Sequence, residues 1–417
     1  MDRTSVKLPQ ATSLTLDSGL RLVHVRHSSV GAGIFGIAVL AGSADETDGE
    51  YGLAHFVEHT IFKGTRRRSS WHIINRMEAV GGELNAFTTK EETTVYSIFP
   101  SGNAARAVEL IADLALNSSF PAGELEKERE VVLDEIESYR DTPADAVFDD
   151  FEDMVYAGSP LGHNILGTPE SVRHLGSDDC RRFLDRYYTS GRIVVFYSGP
   201  DSLSRISALV GKYFAAIPQG SDGGRRLRSD FVGANRIVEL GGLHQSHVVI
   251  GVPSASLYDP GRYADSLFSN MIGGPGMNSL LNVELRERRG LVYNVESSAN
   301  HLSSTGFLTV YFGCDAEDTQ RCIDICADTM RRLSSMDADV LRRRLDRAKR
   351  QYLGQFRVAS ENRENRIMSL ARTMLYLDTL PGDDEVTQRI MNVEPDDICL
   401  LAERLSNPSS LIFMPGQ

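Results

Sequence analysis

The sequence predicts an α+β protein of two similar domains, each a mostly antiparallel sheet packed against a cluster of helices. Three observations carry that prediction. The chain has 417 residues, beyond the size at which a single core stops growing. Strand-like and helix-like stretches come in blocks rather than alternating one for one, as in α+β layouts. The same order of blocks then recurs after a glycine-rich polar stretch at 219–226, which suggests a duplication. The expected bounds are a first domain over 1–219, a linker over 220–230 and a second domain over 231–417.

The first half opens with SLTL and LRLVHV on either side of Asp17-Ser18-Gly19, a hairpin pattern. Ile34 to Ala41 reads as a buried strand and is far too short to cross a bilayer. Apolar residues at helical spacing follow from Gly52 to Lys63, and a second helix over 71–80 is stopped by Gly81-Gly82. ELNAFTT and TTVYSIFP are strands, and helices fit 104–117, 121–140 and 144–156. Thr168-Pro169-Glu170 opens another helix, with threonine as cap and proline in the first turn. IVVFYSG is a strand and 203–216 a closing helix. In the second half RIVEL and HVVIGVP are strands, 263–272 and 279–289 helices, VYNVESS and GFLTVYFG strands, and 319–377 long helices.

A net charge of −13 disfavours non-specific nucleic-acid binding. The first ten residues carry no basic stretch followed by an apolar one, and no membrane segment is expected. The five cysteines are odd in number, scattered and without CxxC spacing, which fits a reducing compartment. The expected location is the cytoplasm, bacterial rather than a mature organellar form. Cys322 and Cys326 share a helix face but lack a nearby histidine, so they read as small buried hydrophobes.

The chemistry centres on His55-Phe56-Val57-Glu58-His59 inside the first helical pattern. At 3.6 residues per turn, His55 and His59 stack on one face and can share a metal ion. Imidazoles suit Zn2+, and the adjoining Glu58 can take a proton from water at the metal. The order H-x-x-E-H is the inverted counterpart of HExxH. The competing reading is two helical histidines with ordinary local partners. A carboxylate is the usual complement to two histidines, and the helix over 123–140 offers many: Glu124, Glu126, Glu128, Glu130, Asp134, Glu135 and Glu137 all qualify by residue type. His244 and His247 lie at the start of a strand pattern, where an offset of three sends side chains to opposite faces; neither reads as a ligand.

GLAHFVEHTIFKGT, GGELNAFTTKEETTVY and EKEREVVLDEI together resemble the pitrilysin and insulinase peptidases. The likeness is strongest to the half-length branch that holds the mitochondrial processing peptidases and their bacterial relatives. It runs over roughly residues 12 to 415. It implies one Zn2+ per chain on His55, His59 and Glu135, with Glu58 as general base and Glu128 as a carboxylate that orients the site. LFSNMIGGPGMNSLLNVELRERRGLVYNVES is similar to the family's glycine-rich loop and following stretch. The substrate-contacting arginine and tyrosine then fall on Arg286 and Tyr293, and the peptide-pairing strand edge on Asn85 and Ala86. Read alone, Arg286 is a surface charge, Tyr293 a strand residue and Asn85 an ordinary residue at a strand start. The loop GGPGMNS departs from the family, which tends to smaller residues leading to an arginine.

The resemblance implies a zinc-dependent endopeptidase acting on peptides or unfolded segments, built as half of a clam-shell chamber and completed by a second chain. A homodimer is expected, with a heterodimer of related chains as the variant. The alternative is a non-catalytic partner or assembly subunit, although such relatives typically lose metal ligands that are intact here. A processing peptidase for organellar presequences is a further alternative. Natural substrate and cleavage preference are not legible.

Overall fold

The computed structural model describes residues 9–221 and 229–416. Residues 222–228, the middle of the expected linker, lie outside the described residues. Two compact units are present, and each holds one sheet.

Unit 1 falls within 1–136, 163–224 and 358–380. Its strands are β1 (Ala11–Thr15), β2 (Arg21–Arg26), β3 (Ala32–Val39), β4 (Glu83–Thr88), β5 (Thr93–Pro100) and β6 (Ile193–Gly199), in the order β1-β2-β6-β3-β5-β4. All pairings are antiparallel except β2 with β6. Gly19, at φ +81°, makes the turn between β1 and β2, a conformation open to glycine at no steric cost. β3 and β6 are apolar on both faces because both faces are covered. One face meets the helices α1 (Leu53–Thr60), α2 (Ser70–Glu78), α3 (Ala104–Asn117) and, later in the chain, the pair that follows α4 (Ala122–Arg140) and α5 (Pro143–Val155): α6 (Pro169–His174) and α7 (Ser177–Tyr187). α8 (Leu203–Tyr213) packs beside α3.

Unit 2 falls within 137–162, 225–357 and 381–417. Its strands are β7 (Asn235–Leu240), β8 (Ser246–Pro253), β9 (Val292–His301), β10 (Gly306–Cys314) and β11 (Ser409–Pro415), in the order β7-β11-β8-β10-β9. Again one pairing is parallel, β7 with β11. The helices are α9 (Arg262–Gly273), α10 (Thr319–Ser334), α11 (Ala338–Ala359), α12 (Arg363–Leu377), α13 (Asp383–Met391) and α14 (Pro395–Leu405), of which α12 belongs to unit 1. Cys322 and Cys326 are buried in this unit's core, as small hydrophobes.

The two α+β units therefore repeat one plan, but the expected bounds at 219 and 231 are crossed twice. α5, from the first half, lies on β8 and β11, where Phe151 comes so close that a Cβ on Gly251 would sit 2.7 Å from its ring. α12, from the second half, lies on β2, β3 and β6. There the Arg21 guanidinium donates to the Met374 carbonyl (3.2 Å) and the Tyr96 hydroxyl donates to Glu364 (2.8 Å). Each sheet thus has one face covered by a helix from the other half of the sequence. Sequence periodicity reports that such a helix is amphipathic, not which sheet it covers.

The stretch expected as a helix over 279–289 winds wider, as a π-helix over Asn282–Glu287. The long helices expected over 319–377 are three, with turns after Ser334 and Ala359. Finally, α7, α13, α14 and β11 go beyond the expected elements, although the buried Cys180, Phe183, Leu184 and Tyr187 of α7 recur at helical spacing.

Candidate metal centre

α1 begins at Gly52, whose φ of +90° admits glycine and where a Cβ would stand 2.7 Å from the Leu166 carbonyl oxygen. Ahead of it lies Glu46, its side chain wholly buried. The carboxylate accepts from the backbone N–H groups of Gly52 (2.9 Å) and Ala54 (2.7 Å), and its Oε2 lies 3.1 Å from His163 Nε2. An anion at a helix N-terminus satisfies orphan donors and complements the helix dipole. Burial pushes the Glu46 carboxyl up, while His163 and the two N–H groups oppose that shift. The first turn of α1 is thereby fixed, and with it the direction of the residues that follow.

Leu53, Ala54, Phe56 and Val57 are buried in the core of unit 1. That leaves His55 and His59 to face α4, their ring centroids 4.5 Å apart at 66°. α4 presents Glu128 and Glu135, seven residues and about two turns apart. Glu135 Oε2 lies 3.3 Å from His59 Nε2 and 3.6 Å from His55 Nε2. One ligand atom from each of these three residues lies within 4.8 Å of the others, the one such group of three among the described residues. Glu128 Oε2 is 3.2 Å from His59 Nδ1, and its other oxygen is 2.5 Å from Lys63 Nζ. A carboxylate at Nδ1 holds the proton there and leaves the Nε2 lone pair on the Glu135 side.

The electrostatics of His55 and Glu135 agree with that donor set, whereas His59, between two carboxylates, is favoured as the imidazolium and would give up its Nε2 proton on binding a metal. Burial, then the neighbouring His59, lower the His55 ring to about 4, so it is neutral at physiological pH. Burial also works against the charged form of His59, but hydrogen bonds to Glu135 and Glu128 outweigh it and raise its pKa. The hydrogen bond from His59 holds Glu135 below the usual carboxylate range against the effect of burial. Two imidazoles and one carboxylate are the donors of a hydrolytic zinc site with a position left for substrate or water. Among the described residues His55 Nδ1 is buried without a hydrogen-bond partner, while its Nε2 faces Glu135. The residues fit Zn2+.

Glu58 is partly buried beside this group; burial raises its carboxyl, and hydrogen bonds with Thr88 of β4 work the other way. Asn85 and Ala86 lie on the same strand, which ends the sheet. Among the described residues β4 pairs with β5 alone, so its outer edge has backbone groups to offer an extended peptide. Arg286, on the π-helix, and Tyr293, on β9, meet in unit 2: the guanidinium carbon is 5.8 Å from the ring centroid. Tyr293 is 87% exposed, an unusual state for a tyrosine on a strand.

Of the other acids on α4, Glu124 pairs with Lys127 and Glu126 with Arg129 one turn along. His247 makes a 2.9 Å hydrogen bond with the Tyr311 hydroxyl, and His244 is exposed ahead of β8. Sequence reasoning missed Glu46, His163, Lys63 and Thr88. The only available signal was an acid six residues ahead of a helix-opening glycine; the histidine that meets it is 117 residues away.

Two family profiles cover most of the chain: Insulinase (Peptidase family M16) over residues 23–169, and Peptidase M16 inactive domain over 174–352. An uncharacterized zinc protease of Streptomyces coelicolor is 32% identical over 93% of this chain and 85% of its own length. One of Mycobacterium tuberculosis is 32% identical over 97% and 92%. Among solved structures, a peptidase M16 inactive domain from Pseudomonas fluorescens superposes with a TM-score of 0.87 at 18% identity, covering 98% of each chain. A protease from Helicobacter pylori gives 0.86 at 21% identity, over 98% of this chain and all of the other. With the fold shared at that level and sequence identity above 30% along nearly the whole length, the chain belongs to the insulinase family of peptidases, family M16.

Proposed function

We propose that this chain is a zinc-dependent endopeptidase that hydrolyses peptides or unfolded polypeptide segments. The observation that carries the reading is the convergence of His55, His59 and Glu135, from two helices, on one small volume. The names of the relatives as zinc proteases support the same metal. One Zn2+ held by these three residues would supply Lewis acidity to a peptide carbonyl and to water.

The chain's own residues divide the remaining work. Glu58 takes the proton from the attacking water and passes it to the leaving amine; a carboxyl whose pKa is raised by burial suits both directions. Glu128 holds His59 in the required tautomer and is itself steadied by Lys63. The free edge of β4 pairs with the substrate backbone through Asn85 and Ala86, which gives recognition with little sequence preference. The contact between Thr88 and Glu58 ties that edge to the base. Arg286 and Tyr293 bind substrate, the arginine at a carbonyl and the phenol as donor to developing negative charge. The exposure of Tyr293 supports contact with another molecule. The active assembly is a homodimer in which a second chain completes the chamber. All five cysteines are free, and no described helix is long and apolar enough to cross a membrane; the free thiols support a reducing cytoplasm.

The test is Glu58→Gln. It should retain zinc and lose turnover of a quenched peptide by about 10²–10⁴-fold, the usual worth of a general base. Retained turnover at full zinc occupancy would remove Glu58 from the mechanism.

A further inference from the structure

We propose that unit 2 carries a second peptide-binding site, a groove lined by α10, α11 and the π-helix that takes an acidic, amphipathic peptide segment. The groove encloses about 730 Å³, within the range of ligand-binding clefts. Its apolar lining includes Met271, Leu280, Val283 and Met336, all partly exposed, with the buried Leu333 beneath them. Two of these are methionines, which adapt to varied apolar side chains. Around that floor stand Arg288, Arg289, Arg332, Arg344 and Arg347, against a single carboxylate, Glu284.

The charge balance identifies the occupant. Glu284 is already engaged by Arg288 (2.6 Å) and Arg289 (2.7 Å), with Arg332 at 3.6 Å. Arg344 and Arg347 lie one turn apart on α11 and both line the groove, and among the described residues neither has an acidic partner. Two unpaired guanidinium groups beside an apolar floor, in a chain of net charge −13, call for carboxylates flanking an apolar side chain. The walls are built rather than loose. Asn278 and Gln351 exchange side-chain amide hydrogen bonds of 2.9 and 3.2 Å, tying the GGPGMNS loop to α11. Gly276 permits that approach, since a Cβ there would stand 2.8 Å from Gln351 Nε2. This gives the glycine loop a role that needs no nucleotide. The groove uses neither the metal nor any residue of unit 1.

The experiment is fluorescence anisotropy of a labelled octapeptide of alternating Glu and Leu, titrated with the zinc-loaded full chain. A Glu58→Gln background keeps the peptide intact. Arg344→Glu with Arg347→Glu should weaken binding by at least about tenfold, because two charge pairs become repulsions. Arg342→Glu with Arg343→Glu, the same change of net charge on the same helix but outside the groove, should weaken it less than about twofold. The neutral pair Arg344→Gln and Arg347→Gln should fall between them, and a Lys-for-Glu peptide should not show this arginine dependence. Equal losses in the two reversal pairs, or no loss in either, overturn the site. Arginine-dependent binding of tripolyphosphate or oleate without binding of the peptide overturns the assignment to a peptide.

Discussion

The two units run through the same order of elements and do opposite things with it. In each, a pair of strands (β2 and β3, preceded by β1, or β7 and β8) comes before a helical block, two strands form a hairpin, five helices follow of which one (α5 or α12) belongs to the other unit, and a last strand inserts parallel to the first of the pair. α1 and α4 of unit 1 hold the chain positions of α9 and α11 in unit 2. Unit 1 places His55, Glu58 and His59 on the first of these and Glu128 and Glu135 on the second. Unit 2 fills α9 with buried Leu267, Phe268 and Ile272, and arms α11 with Arg344 and Arg347 instead. A scaffold that tolerates both fillings does not dictate chemistry; the side chains at two helix positions do.

Glu135→Ala breaks the comparison most directly, by removing the acid that completes the group of three in unit 1. Zinc affinity, read by chelator competition, should drop by at least about a hundredfold, and peptide turnover should fall to background. Arg286→Ala gives the complementary result. Zinc content by mass spectrometry should stay unchanged while kcat/KM falls by roughly 10–100-fold, the scale of losing one charged hydrogen bond to a substrate carbonyl. If Arg286→Ala also released zinc, the division of labour between the units would be wrong. Glu128→Gln sharpens the account within unit 1: with His59 less firmly oriented, zinc affinity should weaken by about 10–100-fold, and less than in Glu135→Ala.

How much of this was legible in the chain differs between the same two regions. His55, Glu58 and His59 could be read from helical spacing, because one face of one helix is a local property. Glu135 could not: seven acids on the same stretch competed, and only the family resemblance chose among them. The structure gives the physical discriminator, since α4 turns Glu128 and Glu135 toward α1 while Glu124 and Glu126 pair along their own helix. Arg286 and Tyr293 were likewise unreadable as isolated residues, and their meeting depends on a π-helix that periodicity reads as ordinary α-helix. The exchange of α5 and α12 between the sheets was invisible for the same reason as Glu46 with His163. Each is a contact between segments far apart in sequence, and amphipathicity says only that a face is covered.

The smallest expected effect concerns a feature the two units share. Each sheet buries a histidine, His24 on β2 and His247 on β8, and burial lowers both rings below the ordinary 6.5. The unfolded chain therefore takes up protons first as the pH falls past 6.5, so stability present at neutral pH is lost between 6.5 and the lower folded values. In zinc-depleted protein, His24→Asn and His247→Asn should each flatten the fall in Tm between pH 7.5 and 5.5 by about a degree or two. A slope unchanged by both would mean that neither ring titrates on unfolding.

The central claim is that one zinc ion is gripped by α1 and α4 together. X-ray absorption at the zinc edge on the zinc-loaded chain tests it most directly, read alongside metal content. The account predicts one zinc per chain, scattering from two imidazoles with all nearest ligands nitrogen or oxygen at about 2.0–2.2 Å, and loss of the ion in His55→Ala and Glu135→Ala. Sulfur in the first coordination sphere, or full zinc occupancy in either variant, would contradict it.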